Sequence, residues 1–564
     1  MLTLFFMVKS KNFLSVLILF LPLAAFAQDL SKVGKSKAFR ISGGISLNNI
    51  YNSANAQNPF SYYLGANLNF DFYGWSVPLS FSYSNREHSF TQPFNQYGLS
   101  PTYKWITMHL GYRSLNFSNY SYAGILFKGA GIELSPDIGL KFTGFYGQLQ
   151  KAIQPDTLNQ TEISFQRLGC GAKLEYSFSG HSVNVSLFKA YDNFNSLEYI
   201  PQNSNVTPHE NLVFTVGGAS TPIKGLNINF EWASSAFTED IRSESVEETK
   251  SWWRHAGKLL TNRESSGYYW AGRMGLNYTF LKSIAGLNYE IINPGYRTLG
   301  QYYTNNDIET LSLNFGQSVF KDKVNLTVSA GQERNNLNNN EVEETSRLVF
   351  ASGININFSQ KVQGNGSFST FQSYTRVRPL FDELNVVPGE PVDSLNFTQV
   401  NKSANLSASW TISKSENKQQ NLNAIFNYQG GVNKGSEDAP NSLGFTESIS
   451  YRVNWVEKES TLSLSLNSNQ NSFGELKTVL LGPTASLGKI FFGKKLRSMI
   501  TMAYNTSVSG GHSASSTFFA RITNQISLKK KHNINSMFGY NVRSNAMNHK
   551  NGDISLSAGY SFSF

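Results

Sequence analysis

Residues 554–564 read ISLSAGYSFSF, and every second position is apolar. Ile554, Leu556, Ala558, Tyr560, Phe562 and Phe564 fall on one face of an extended chain, with Ser555, Ser557, Gly559, Ser561 and Ser563 on the other. Side chains alternate faces along a strand, so this is the pattern of a β-strand with one oily and one wet side. It recurs. GLNINFEW sets Leu226, Ile228, Phe230 and Trp232 against Asn227, Asn229 and Glu231, and RMGLNYTF sets Met274, Leu276, Tyr278 and Phe280 against Arg273, Gly275, Asn277 and Thr279. VNLTVSAG and TLSLSLNS repeat it at 324–331 and 461–468. In KWITMHLGYR, Ile106, Met108, Leu110 and Tyr112 alternate with Thr107, His109, Gly111 and Arg113.

Two features distinguish these strands from those of a water-soluble sandwich. Their polar faces are built from Ser, Asn, Thr and Gly rather than Lys and Glu, and aromatic residues mark strand ends. Trp232, Phe280, Tyr560, Phe562 and Phe564 therefore read as aromatics of a membrane interface. In hydrocarbon every backbone polar group must be paired internally, so a sheet crosses a bilayer only as a closed barrel. Oily-out, polar-in strands of roughly ten residues are that barrel's signature. The expected fold is all-β: a single large closed antiparallel transmembrane β-barrel. Its lumen-facing candidates are Thr107, His109, Arg113, Asn227, Asn229, Glu231, Arg273 and Asn277.

Connections alternate in length. Tight turns fall near 135–138, 179–182, 221–225, 281–283, 320–323, 359–361, 413–418, 457–459, 492–495 and 528–532, and longer polar stretches at 192–210, 235–265, 293–307, 333–345 and 376–396. Short periplasmic turns and long extracellular loops are the outer-membrane arrangement. Charge sorts with length. The short turns hold Lys282, Lys321, Lys323, Lys494, Lys495, Lys529, Lys530 and Lys531, and the long loops hold acids such as Glu247, Glu248, Glu343 and Asp382. Much of the net charge of +10 thus belongs to one rim. That rim would lie against anionic headgroups, each basic residue contributing on the order of 1 kcal/mol. Lysines spread around a ring do not suit nucleic acid.

The strand pattern gives twenty strands from Asp137 onward and candidates near 38–50, 61–72, 76–85, 102–113 and 121–134 before it. Bacterial single-chain barrels have even strand numbers, so one N-terminal assignment is suspect. The expectation is about 24 strands, within a range of 22–26. Barrels of that size enclose a lumen usually filled by a plug. Only a short segment, 28–37, precedes the barrel of 38–564, so the chain's own loops should narrow the bore. Segments 86–120 and 235–265 are the candidates for folding into the lumen or onto the rim. Within the second, 240–262 reads as helix-like, with acids early and basic residues late.

Residues 1–27 read as a signal peptide. Lys9 and Lys11 precede the apolar FLSVLILFLPLAAFA, and Ala25-Phe26-Ala27 forms a cleavage site. Aromatics make up 14% and charged residues only 15% of the chain, and mean hydropathy is -0.30. These values fit half-buried strands and exclude a bundle of membrane helices. The single cysteine, Cys170, excludes an intramolecular disulfide framework and shares parity with Leu168, Ala172 and Leu174. None of the eight histidines sits in a nucleophile-elbow or HExxH setting, and no phosphate loop occurs. No catalytic residues, metal site, cofactor or enzyme activity are expected.

The signal ending AAFAQ, the Asn/Ser/Tyr-rich strands and the terminal AGYSFSF together resemble a Bacteroidota-type outer-membrane β-barrel, porin-like or translocon-associated and without a TonB plug. The resemblance implies a cell outer-membrane location and recognition of the C-terminal strand by the barrel-assembly machinery. Outer-membrane lipid is then a partner, with a further protein possible in the lumen or at the loops. Three readings of function follow. The chain is a channel or transport pore for hydrophilic solutes; a non-conducting barrel serving protein translocation, assembly or surface anchoring; or, remotely, a barrel lipid hydrolase or protease.

Overall fold

In the computed structural model the chain forms one closed antiparallel barrel. The structure describes residues 39–55, 58–85, 95–155, 163–201, 204–246, 259–335, 337–338, 346–374, 398–434, 441–510, 512–529, 531–545 and 550–564. The signal segment 1–27, most of the helix-like stretch, Lys530 and the acidic loop 382–393 lie outside the described residues. No α-helix occurs among those described.

The barrel begins with β1 (Phe39–Asn52), β2 (Phe60–Phe72) and β3 (Trp75–Ser84). β4 (Gln96–Leu99) and β5 (Thr102–Tyr103) follow, two pieces of one stave, since both lie between β3 and β6 (Ile106–Asn116). Pro101 breaks that stave, because it has no N–H to give the ladder. One wall continues through β7 (Ala123–Leu134), β8 (Leu140–Gln150), β9 (Gln166–Phe178), β10 (His181–Asn193), β11 (Glu210–Ile223), β12 (Leu226–Thr238), β13 (Ser266–Phe280) and β14 (Ser283–Ile292). The facing wall holds β15 (Ile308–Val319), β16 (Val324–Arg334), β17 (Ser346–Asn357), β18 (Val362–Tyr374), β19 (Thr398–Lys414), β20 (Lys418–Lys434) and β21 (Ser442–Trp455). It ends with β22 (Ser460–Phe473), β23 (Leu476–Phe491), β24 (Leu496–Ser509), β25 (His512–Leu528), β26 (His532–Asn545) and β27 (Lys550–Ser563).

The 27 segments therefore make 26 strands of wall. This is the even number that closure favours, two more than the central expectation of about 24 and within the expected range of 22–26. The N-terminal region held one strand too few rather than one too many. The stretch assigned to a single strand at 102–113 is two, folded back across the turn Lys104–Trp105, with φ of 51° at Lys104. Gln96–Leu99, within a candidate segment for folding into the lumen or onto the rim, is part of the wall.

β27 closes the barrel on β1, in register from Gly44 opposite Ser563 to Asn52 opposite Ser555. The terminal residue takes part. Phe564 and Gly43 exchange both backbone hydrogen bonds, at 3.1 Å each. Ser53 N–H donates to the Ile554 carbonyl at the other end of the seam.

Turns on the rim that carries Phe564 are two to five residues long. Tyr73–Gly74 and Ser179–Gly180 have positive φ at both positions, the geometry that matches strand twist in a two-residue hairpin. The opposite rim carries the long connections, of which 239–265 is an example, although β22 and β23 join through only Gly474 and Glu475.

Closure fixes which parity faces out. Met108, Leu110, Val183, Val185, Leu311, Leu313, Phe315, Leu464 and Leu466 are exposed on the outward rows. The oily rows start at the short-turn rim and end partway up each strand. Lys128 stands above Ile132 and Ala130 on β7, flanked by the Tyr97 and Tyr112 rings. Lys189 above Leu187 pairs with Glu210 at 2.9 Å. Glu309 above Leu311 pairs with Arg334 and accepts from the Tyr289 hydroxyl at 2.7 Å. The outer surface is thus an apolar belt below a polar collar.

Candidate functional site

The inner face gathers what the outer face excludes. Its composition differs sharply between the two walls. On β7, β8, β10 and β12 the inward positions include Ile125, Phe127, Phe145, Phe188, Ala190 and Phe237, all buried. A row of aromatics facing water-filled space would be costly, and two loops cover it. Phe117 and Tyr122, from the connection between β6 and β7, and Leu299, from the connection between β14 and β15, join these residues in one cluster. Side chains on such widely separated strands converge only on the concave side of a barrel, so this dry core lies inside the bore. Tyr122 stacks within 4.4 Å of Phe145 and 5.5 Å of Phe188, and Phe127 lies 4.8 Å from Phe145. Burying each such side chain contributes about 1.5–3 kcal/mol.

Hydrogen bonds latch the two loops together. Ala123 N–H donates to the Gly300 carbonyl at 3.0 Å, and the Thr298 hydroxyl to the Ser121 carbonyl at 2.8 Å. The Tyr296 hydroxyl donates to the Tyr120 carbonyl, and the Gln301 amide to the Asn119 carbonyl. The wall then holds the latch. Asn211, fully buried, accepts from Leu299 N–H at 3.1 Å and donates to the Ser235 hydroxyl at 2.8 Å. Ser235 in turn donates to the Arg297 carbonyl at 2.7 Å. Gly300 is required by closeness: a Cβ there would meet the Ser121 carbonyl oxygen at 2.3 Å.

Tyr120 connects the latch to charge. Its hydroxyl donates to Glu290, its ring lies 5.9 Å from the Arg273 guanidinium, and it packs edge-on against Tyr296. Burial, then the neighbouring Glu290 carboxylate, holds the Tyr120 phenol well above its ordinary value. Burial, with Glu231 adding to it, does the same at Tyr296. Both remain hydrogen-bond donors.

Nearer the short-turn rim, the same wall carries paired charges. His109 Nε2 lies 3.1 Å from Glu133, whose other oxygen meets Lys141 Nζ at 3.0 Å, and His109 Nδ1 faces the Ser100 hydroxyl at 3.0 Å. Lys173 lies 3.7 Å from Glu175 and Arg113 donates to Ser80 at 2.6 Å, whereas Arg167 pairs with Asp192 at 2.8 Å at the long-loop end of β9 and β10.

The structure places the sequence-derived lumen residues as follows. Thr107, His109 and Arg113 share the inner row of β6. Glu231 stands opposite Arg273 and binds it at 2.7 Å, and Asn227 stands opposite Asn277. Asn229 faces Gly275, where a Cβ would come within 2.8 Å of its amide oxygen. Phe280, Tyr560, Phe562 and Phe564 lie at the short-turn rim, whereas Trp232 sits midway along β12, edge-on to Phe214. Lys282, Lys321, Lys323, Lys494, Lys495, Lys529 and Lys531 lie in or beside short turns, with Lys282 bound to Asp322 at 2.8 Å.

Phe117 and Tyr120 of the filling lie within segment 86–120, a sequence candidate, whereas the 293–307 connection and the inward aromatics of β7, β8 and β10 were not among the candidates. Of segment 235–265, Ser235 and Phe237 are inward wall residues that meet the filling, whereas Leu260 packs with outward Leu212 and Ala236, beside Leu259, so that described part of the loop lies on the outside of the wall. The signal for the true filling was a lapse in alternation. GILFKGAGIEL (124–134) and FTGFYGQL (142–149) carry apolar residues on both parities.

The facing wall is different in kind. Inward residues of β19 to β27 include Asn405, Asn421, Asn427, Asn467, Asn469, Thr484, Ser486, Thr501 and Ser557. They form hydroxyl–amide ladders such as Ser448 to Asn467 and Ser486 to Thr501. Among the described residues no loop packs onto this side.

No protein-family model and no curated protein matches the chain. Solved structures to which the chain is similar include the FrpB iron transporter from Neisseria meningitidis, at 10% identity and a TM-score of 0.36, covering 95% of this chain and 83% of that one. The P pilus usher PapC translocation pore aligns at 7% identity and a TM-score of 0.40, covering 93% and 99%. OccAB3 from Acinetobacter baumannii aligns at 10% identity and a TM-score of 0.29, covering 70% and 99%.

Proposed function

We propose that this chain is an outer-membrane transport barrel, a passive pore for hydrophilic solutes whose bore is narrowed by its own loops. The apolar belt supports the bilayer: exposed Leu, Val and Phe on a closed sheet need a nonaqueous neighbour, and a belt below a polar collar matches a hydrocarbon layer of about 25 Å. The short-turn rim, with Phe564 and the lysines, then lies on the periplasmic side.

The observation that carries the transport reading is the asymmetry of the bore. Twenty-six strands at about 4.8 Å spacing and a tilt of roughly 40° enclose a ring about 50 Å across if circular. The latched loops and their dry core fill the side of β6 to β14, while the side of β19 to β27 keeps a wet surface of amides and hydroxyls. That surface offers a hydrophilic solute replacement hydrogen bonds along its path. The test is conductance of the purified protein in planar lipid bilayers. Discrete conducting steps are expected, and an electrically tight barrel at all voltages would remove the proposal.

A further inference from the structure

The basic residues of the bore are distributed as unevenly as its loops. On the latched side each inward cation named above except Arg113 stands in an ion pair: Arg273 with Glu231, Arg167 with Asp192, Lys141 with Glu133, Lys173 with Glu175. On the side of β19 to β27 the inward-facing arginines are Arg452, Arg497, Arg521 and Arg543, and all four are exposed. Among the described residues none of them forms an ion pair. The one inward acid described on these strands is Asp553, opposite Asn541 on β26.

Three of the arginines form a staircase. Arg497 is the second residue of β24 at the short-turn rim. Four residues further along β24, Thr501 stands opposite Arg521 of β25. Arg521 in turn stands opposite Gly539 of β26, and Arg543 lies four residues further along that strand. Each step rises four residues and crosses one strand, about 14 Å in all, so the three span roughly 27 Å of wall. Arg452, near the short-turn end of β21, widens the lower end. A solute between two neighbouring steps is never more than about 7 Å from one of them, inside the Debye length of about 8 Å at physiological salt. The fields therefore overlap from rim to collar. Arg521 lies 4.7 Å over the Phe519 ring, which fixes the guanidinium plane. A held guanidinium presents a fork of donors that suits carboxylate and phosphate oxygens.

We infer that this staircase selects the solute: the pore passes hydrophilic anions bearing carboxylate or phosphate groups in preference to cations. The inference rests on the proposed pore. It is tested by the reversal potential of the purified barrel in planar bilayers under a potassium chloride gradient. The wild-type barrel is expected to favour chloride over potassium. The fourfold variant Arg452→Gln/Arg497→Gln/Arg521→Gln/Arg543→Gln should conduct but lose that preference several-fold, and inorganic phosphate should block wild-type current more strongly than variant current. The matching fourfold Arg→Lys variant, which keeps charge, should keep the preference. A conducting wild-type barrel that favours potassium, or a Gln variant with unchanged selectivity, overturns the inference while leaving the pore standing. Absence of any current overturns the pore, and the inference with it.

Discussion

Asn211 is a single side chain holding an element that strands alone do not hold. Its amide joins Leu299 of the latch to Ser235 and Ala236 of the wall, in full burial. Asn211→Ala would leave the Leu299 N–H without its partner, a loss of about 1–3 kcal/mol. The expected result is faster proteolytic nicking of the 293–307 connection in detergent-solubilised barrel, by about fivefold or more, with the barrel itself intact. Gly300→Val acts by volume, because its Cβ would strike the Ser121 carbonyl and the Phe188 ring. It should raise single-channel conductance. A conductance equal to wild type would show that the latch does not stand in the path. The tyrosines give the latch a pH dependence. Tyr120 and Tyr296 are raised in the folded state, chiefly by burial, so the protonated phenols support the latch fully below the free tyrosine value of about 10. That support is lost as pH rises beyond it. Proteolytic sensitivity of the latch should be flat from neutral pH to about 9.5 and rise above it. Tyr120→Phe/Tyr296→Phe should remove the rise.

At the scale of elements, the seam between β1 and β27 is where a barrel becomes closed. Gly43 there has φ of 131°, and a Cβ would meet the Asn67 carbonyl oxygen at 2.1 Å. Gly43→Val should displace β1 from β2 and from Phe564, and less protein should reach the compact, heat-modifiable form on a cold gel. The same change at Gly493, where φ is 61° but open space surrounds the Cβ, should cost only turn strain and give more folded barrel. How far the elements were legible follows from what shaped each. Strands with one lipid-side face and one wet face, such as 460–473 and 550–563, declare themselves by period. The short turns do so by length and by Lys, Gly and Ser. The stave at 96–103 did not, because Pro101 interrupts it and its longest unbroken run is four residues, too short for a period. β7 and β8 were found as strands, but their inward aromatics were not recognised as a core. Periodicity reports one partner surface per face, and it cannot name a loop from elsewhere in the chain that covers the second.

For the whole molecule, the wall and the filling obtain their stability from different sources. The wall rests on a continuous ladder from β1 to β27, and its outer belt is satisfied by lipid. The filling rests on aromatic contacts and the hydrogen bonds of two short loops, none of which contributes to the ladder's closure. The two should therefore be separable. Replacing 294–300 by a short Gly-Ser bridge removes Tyr296, Thr298 and Leu299, and it uncovers Phe188, Val213 and Phe237. Asn293 and Gln301 remain to join β14 to β15. The barrel should still fold, with an unchanged β-sheet spectrum and heat-modifiability, because every register pair of these strands lies outside the excised piece. Its conductance should exceed that of wild type, since the bridge frees part of a ring about 50 Å across. Preference for anions should weaken at the same time, as the widened passage carries ions further than a Debye length, about 8 Å, from the arginine staircase. A wider but equally selective pore would place the selecting charges on the latched wall. A failure to fold would show that the wall depends on its filling, and the two would then be one unit.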